Sequence, residues 1–347
     1  MHSQESGMKA AVYYGKDDLR IKEMPVPEIT GGEVLVRVRA SGICGSDVLH
    51  WYRAGRGPLV LGHEIAGEIV SVGNEVRDYA PGDRIAAAHH VPCNTCHYCR
   101  TGHHTVCDTL RKTNFFPGGF AEYLRLPALN VDRGIFRLPD EMTFEEATFI
   151  EPLACVFRGQ RIAGMTMGKS VLVIGSGISG LLHIQLARAL GAEVVIATDI
   201  DPYRLDAAKR LGADYVLSGV EDVPARLRSL NRGRPADIVI LTAGALPAIK
   251  QAFGSVDRGG TVLFFAPATK DAEVMLPVND LFWRNEITLT SSYAANYDEH
   301  MQAMELIRQK RVDVSAMITH VLPLSEISRG FQLVEEAKQS LKVIIKP

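Results

Sequence analysis

Four cysteines crowd into the stretch CNTCHYCRTGHHTVC: Cys93, Cys96, Cys99 and Cys107, spaced C-x2-C-x2-C-x7-C. Four thiolates at this spacing make a closed tetrahedral Zn2+ site, structural in kind because no coordination position stays open. An iron–sulfur cluster is the competing reading of C-x2-C-x2-C, but the chain has a single set of four and lacks the C-P ending. The nearby His89, His90, His97, His103 and His104 read as solvated surface, since four sulfurs already fill a shell. The other two of the six cysteines are isolated. Clustering of this sort points to metal ligation in a reducing cytoplasm rather than to a secreted disulfide framework.

A second set of ligand types is dispersed. Cys44 sits in GICGSD, His63 and Glu64 stand side by side in LGHEIAGEIVSVG, and Glu151 lies in FIEPLACVFRG. A thiolate, an imidazole and carboxylates suit a Zn2+ ion that keeps room for a substrate oxygen. Each has a bland reading alone: a buried small hydrophobe, a satisfied core histidine, an acid at a helix N-terminus. Their company with a dinucleotide motif favours the metal. That motif is G-x-G-x-x-G, with Gly175, Gly177, Ile178 and Gly180 between an apolar strand and an amphipathic helix. It predicts a tight turn, close backbone approach to a pyrophosphate and a helix N-terminus aimed at negative charge. Asp199 ends the next strand, where an acid takes the ribose hydroxyls and favours NAD over NADP. Arg204, five residues on, pulls the other way.

The elements that must hold these residues change character along the chain. The first 150 residues read as β-rich, with EVLVRVRA alternating, and PGDRIAA and FAEYLRL as further short strands. From about residue 155 strands and helices alternate: SVLVIGSGISG, then AEVVIATD, then a helix with Asp201 as N-cap, Pro202 at its first position and Gly212 as its stop. Apolar strands separated by helices make a parallel sheet covered on both faces. After about 293 come a helix (298–311), a strand, a helix (325–337) and the final strand LKVIIKP. A second β-like run is expected at 273–278. The 347 residues are 46% hydrophobic and 22% charged with a net charge of −2, which argues against a nucleic-acid or membrane-surface protein. No apolar run approaches the length of a membrane span, and the polar start MHSQESG lacks the apolar core of a signal peptide, so ordered structure is expected from Met8.

With these residues in view, the chain resembles the zinc-dependent medium-chain alcohol dehydrogenases, and among them the sorbitol (polyol) dehydrogenases. The likeness runs from about Met8 to Pro347 and rests on GICGSD, GHEIAGEI, the four-cysteine lobe, GGFAEY, IEPLACVFRG and GSGISG with Asp199. It implies an α/β fold: a GroES-like catalytic domain (8–155), an inserted Rossmann domain (156–293) and a return to the catalytic domain (294–347). It implies two Zn2+ per chain, one held by the four cysteines, the other by Cys44, His63, Glu64 and Glu151. Glu151 matches a position where polyol dehydrogenases carry glutamate and alcohol dehydrogenases cysteine, and the harder ligand suits a hydrophilic alcohol. Ser46 matches the hydroxyl that passes the substrate proton along, and Asp47 the acid that orients His63. Leu49 stands where many relatives place the outer histidine of the proton relay; His50, i+4 from Ser46, is the expected substitute. Ser292–Tyr293 stands where sorbitol dehydrogenases carry a polyol-gripping arginine, which turns the expectation from sorbitol to a sugar acid, cyclitol or sugar phosphate, contacted by Trp51, Tyr52, Arg53 and Arg56. NAD-linked oxidation of a secondary alcohol is the leading expectation. L-threonine 3-dehydrogenase-like oxidation of an amino alcohol is one alternative, and a non-catalytic dinucleotide-binding protein another. The likeness further implies a cytoplasmic homodimer or homotetramer.

Overall fold

Val34, Val36 and Val38 point inward on the strand Val34–Gly42, each at most 2% exposed, while Arg39 reaches out to pair with Glu68 at 2.7 Å. The alternation follows from the period of two along a strand. This strand pairs antiparallel with Glu64–Val72 and with Lys342–Lys346, in registers that set Gly42 opposite both Glu64 and Ile344. A Cβ on Gly42 would stand 2.3 Å from Glu64 Oε2 and 2.7 Å from Lys342 Cε, so only glycine leaves room for those two side chains. Three strands drawn from distant parts of the chain therefore bring their ends together at one point.

The computed structural model describes residues 7–347; MHSQES, ahead of the expected start at Met8, lies outside the described residues. The chain divides into two units, one formed by the chain up to Ala154 with Ala294–Arg308 and Val314–Pro347, the other by Cys155–Tyr293 with Gln309–Asp313. The first unit carries a seven-stranded sheet in the order Ile318–Pro323, Lys342–Lys346, Val34–Gly42, Glu64–Val72, Arg84–Ala87, Ile135–Arg137, with Tyr123–Leu126 also paired to Val34–Gly42. A smaller sheet orders Asp18–Met24, Met8–Gly15 and Leu59–Val60. One apolar core packs Val34, Ile65, Ile69, Ile85 and Leu124, and a second packs Val12, Ile43, Phe120, Phe331 and Ile345.

The second unit is a six-stranded parallel sheet ordered Tyr215–Ser218, Val194–Asp199, Ser170–Ile174, Ala236–Leu241, Val256–Phe264, Thr288–Ser291. Numbered within the unit this is 3-2-1-4-5-6, the doubly wound order that places ligands at the carboxyl ends of its first strands. The helix Pro202–Arg210 has the expected start: Asp201 accepts from Tyr203 N–H at 2.8 Å and Pro202 fills the first turn. Gln309–Asp313 joins this unit because Gln185 pairs with the Asp313 backbone at 2.7 and 3.2 Å and Arg311 donates to Ala189 O at 2.9 Å. The β-like run expected at 273–278 is not a strand. Pro277 lacks a ladder donor and starts the short helix Val278–Leu281, and the sheet edge is instead Thr288–Ser291. Among the described residues no helix is long and apolar enough to cross a membrane.

Candidate active site

Cys44, His63 and Glu64 meet where those strands end. Their donor atoms all lie within 4.8 Å of one another. Cys44 follows the end of Val34–Gly42, and Glu64 opens its antiparallel partner, so the strand register itself delivers the trio. His63 Nδ1 faces Asp47 Oδ1 at 3.7 Å, which leaves Nε2 as the nitrogen for a metal. Burial works against a charged His63, yet Asp47, the Cys44 sulfur and Glu151 together raise its pKa well above the usual imidazole value. The sulfur, imidazole and carboxylate donors of this trio fit Zn2+. Glu151, in the first turn of the helix Ile150–Ile162, stands outside the trio but close enough for its charge to act on His63.

Asp47 is fully buried and ties this set together. Its Oδ2 accepts the Cys44 N–H at 3.1 Å, and its Oδ1 receives Arg53 Nη2 at 3.0 Å. Burial pushes its carboxyl up, and the His63 and Arg53 charges oppose that rise. Ser46 lies beside it, half-buried. His50 does not meet Ser46. Its ring bonds Glu335 Oε1 at 2.8 Å, because the short helix His50–Arg53 turns that imidazole toward the helix Ile327–Glu336. Arg53 is bound to Asp47 and the Ser46 backbone rather than offered to a ligand, while Arg56 stacks over Tyr52 at 4.2 Å.

The four-cysteine lobe is preorganised. Cys96–Cys99 and Cys93–Cys107 sulfurs are 3.6 Å apart and Cys93–Cys99 4.0 Å. Sulfurs on a tetrahedron around zinc, each about 2.3 Å from it, are separated by about 3.8 Å, so the residues fit the ion. Hydrogen bonds from Thr95 and from the Cys96 N–H draw the Cys93 thiol down to about 5, while burial and the hydrogen bond with Cys96 push Cys99 up to about 12.

In the second unit, the helix Ile178–Ala189 starts directly after Gly177, its N-cap. A Cβ on Gly180 would lie 2.0 Å from Gly175 O, so the helix can press on the strand end only because this residue is glycine. Asp199 is 7% exposed; its Oδ2 accepts from Ser176 N–H at 2.7 Å and its Oδ1 from Asp201 N–H at 2.9 Å. Arg204 Nη1 stands 3.9 Å from where a Gly177 Cβ would be, beside the same loop.

Two features escape the sequence reading. His97 and His103 are exposed as expected, but His89 and His90 are not solvated surface. His89 packs on His63 with ring centres 4.7 Å apart and His90 on His89 at 3.9 Å, and burial drives His89 well below the usual imidazole range and His90 to about 4. The signal was their position directly after Ile85–Ala88, all at most 4% exposed, which carries the chain inward. The other is Lys342. It is 1% exposed, donates to Glu64 Oε2 and to Ile43 O at 3.3 Å, and lies over the Phe149 ring. Nothing local in LKVIIKP marks a lysine for burial; only the pairing with Val34–Gly42 puts it beside Glu64.

Residues 30–140 match the alcohol dehydrogenase GroES-like domain and residues 179–309 the zinc-binding dehydrogenase family. The chain is 32% identical to sorbitol dehydrogenase of Bacillus subtilis, over 100% of this chain and 99% of that one. A zinc-binding dehydrogenase of Sinorhizobium meliloti bound to NADP superposes with a TM-score of 0.89 at 29% identity, covering 99% of this chain and 100% of the other. The 2R,3R-butanediol dehydrogenase of Bacillus subtilis superposes with a TM-score of 0.86 at 26% identity, covering 98% and 99%. The β-rich unit is thus GroES-like and the parallel-sheet unit Rossmann-like, and the chain belongs to the zinc-dependent medium-chain alcohol dehydrogenase superfamily, as an oxidoreductase of the polyol dehydrogenase type.

Proposed function

We propose that the protein oxidises a secondary alcohol of a polyol, sugar acid, cyclitol or sugar phosphate to a ketone, with NAD as hydride acceptor and two Zn2+ per chain. The observation that carries this reading is the trio Cys44, His63 and Glu64, oriented through Asp47 and with the Ser46 hydroxyl alongside. Zinc supplies the Lewis acidity that makes an alcohol proton labile near neutral pH, and the nicotinamide supplies the hydride acceptor. The chain's own residues do the rest. Cys44, His63 and Glu64, with Glu151 joining them, hold the ion. Asp47 keeps the His63 ring turned so that one nitrogen faces the metal. Ser46 relays the substrate proton: its Oγ accepts the hydrogen bond of the substrate hydroxyl and passes its own proton on toward solvent. Gly175, Gly177, Ile178 and Gly180 hold the pyrophosphate against the helix N-terminus. The four thiolates of Cys93, Cys96, Cys99 and Cys107 hold the second ion and need a reducing compartment, the cytoplasm.

The deciding experiment is an NAD-linked activity screen of the zinc-replete protein over polyols, aldonates, cyclitols and sugar phosphates. Reduction of NAD with at least one of these classes is expected, and no turnover with any alcohol sinks the reading. Cofactor choice is tested separately. Asp199 repels a 2′-phosphate, so Asp199→Gly is expected to shift the NAD-to-NADP ratio of kcat/KM on the order of 100-fold toward NADP. A wild type that already prefers NADP means that Arg204, next to the loop, governs the pocket. We also propose a homo-oligomer, through Met275, Leu276 and Trp283, which are 95, 42 and 69% exposed, next to the edge strand Thr288–Ser291. Light scattering at micromolar concentration decides it: a mass near 38.0 kDa rules it out.

A further inference from the structure

Arg53 ends the one-turn helix His50–Arg53, and its guanidinium turns back onto the segment that follows Cys44. Nε donates to Ser46 O at 3.0 Å. Nη2 donates to Asp47 Oδ1 at 3.0 Å and stands 3.4 Å from Ser46 Oγ. The side chain is 11% exposed and that of Asp47 fully buried. Asp47 in turn binds the Cys44 N–H at 3.1 Å and faces His63 Nδ1 at 3.7 Å. One guanidinium therefore touches the serine that carries the proton and, through a single carboxylate, the backbone of one metal ligand and the ring of another. A planar fork can engage a carbonyl and a carboxylate together, which a lysine ammonium cannot do from the same stem. With Nη2 directed at Ser46 Oγ, the hydroxyl hydrogen turns away from Arg53 and one lone pair is left for a donor on the open side. His50, three residues earlier, is held on Glu335 and leaves that place to Arg53.

We propose that Arg53 is a positioning residue of the dehydrogenase site: it locks the Ser46 hydroxyl and the Asp47 carboxylate into one unit, so that proton acceptor and metal ligands address the same substrate oxygen. The proposal rests on the dehydrogenase reading above. Arg53 acts through Ser46 and Asp47, and its loss misaligns the centre without removing a ligand.

The test uses the zinc-loaded full chain as wild type, Arg53→Met and Arg53→Lys, with two readouts: transfer of zinc to a chromogenic chelator, and kcat and KM with the best alcohol of the screen. Arg53→Met is expected to release the more labile zinc at least about tenfold faster, because Asp47 loses its anchor. It is also expected to lower kcat about 100-fold with KM within about threefold, the mark of lost alignment rather than lost binding. Arg53→Lys restores the charge facing Asp47 but not the fork, so zinc release returns to within about threefold of wild type while kcat stays at least about tenfold down. The proposal is overturned if Arg53→Met matches wild type in both readouts. It is equally overturned if both variants lose zinc and kcat to the same extent together with their near-ultraviolet circular dichroism, the result of a merely structural role. Should wild type oxidise no alcohol, the dehydrogenase reading fails, and the chelator measurement alone decides whether Arg53 anchors Asp47.

Discussion

Cys44→Ala is expected to take the zinc content from two ions per chain to one and to lower kcat/KM on the order of 1,000-fold or more, since a Lewis acid worth several kcal/mol leaves with its thiolate. The fold should persist. Cys44 is half-buried at the end of its strand, and the cores around it are built from other residues. Cys99→Ala should give the opposite pattern. Cys99 is 5% exposed and packs with Cys107 and Leu110, a cluster too small to hold the lobe without a metal. Loss of that zinc is a loss of folding energy, so the lobe should become protease-sensitive and the melting temperature should fall. Elemental analysis with thermal melts of the two variants checks both statements. Two zinc ions retained in Cys44→Ala would show that the trio is not the second site.

The second large effect is expected at Lys342. In the metal-free protein, Lys342→Met keeps the length of the side chain and removes its charge, which leaves Glu64 with no cation in a place where both side chains are at most 2% exposed. Breaking a buried pair from one side costs roughly 3–5 kcal/mol. For a unit of this size that is on the order of 10 °C in the melting temperature of the β-rich unit. A paired change, Lys342→Met with Glu64→Gln, should recover much of the loss, because the destabilisation comes from the carboxylate left behind and not from missing packing. Denaturant titration of the three variants measures it. A loss below about 1 kcal/mol in the metal-free single variant would mean that Lys342 is not what compensates the Glu64 carboxylate, whereas a loss that shrinks when zinc is added fits a metal bound to Glu64.

Lys342 also marks the boundary of what a linear reading reaches. The ligand types Cys44, His63 and Glu64 are legible in one dimension because few residue types bind zinc and their neighbours GICGSD and GHEIAGEI are distinctive. The glycine motif is legible because it lies between a strand and a helix, each with its own periodicity. The cysteine lobe is more local still, with all four ligands inside one short segment. The run at 273–278 shows the opposite case. Val274 and Leu276 suggest a strand, but pairing needs a partner in register, and Pro277 starts a short helix before one can form.

The amino-acid sequence alone thus determined which residue types are on offer for chemistry: two groups of metal-ligand type and different kind, a glycine-rich turn and an acid at the end of the following strand. These depend on residue type and short spacing, which a chain carries wherever it folds. Tertiary structure alone decided which charges face which. It placed Lys342 against Glu64 across 278 positions of chain, turned His50 to Glu335 and Arg53 to Ser46, and drew His89 inward onto His63 with His90 stacked on His89. The physical reason is that a side chain's solvation and partners are set by strand register and packing between distant segments, and neither is encoded in the residues next to it.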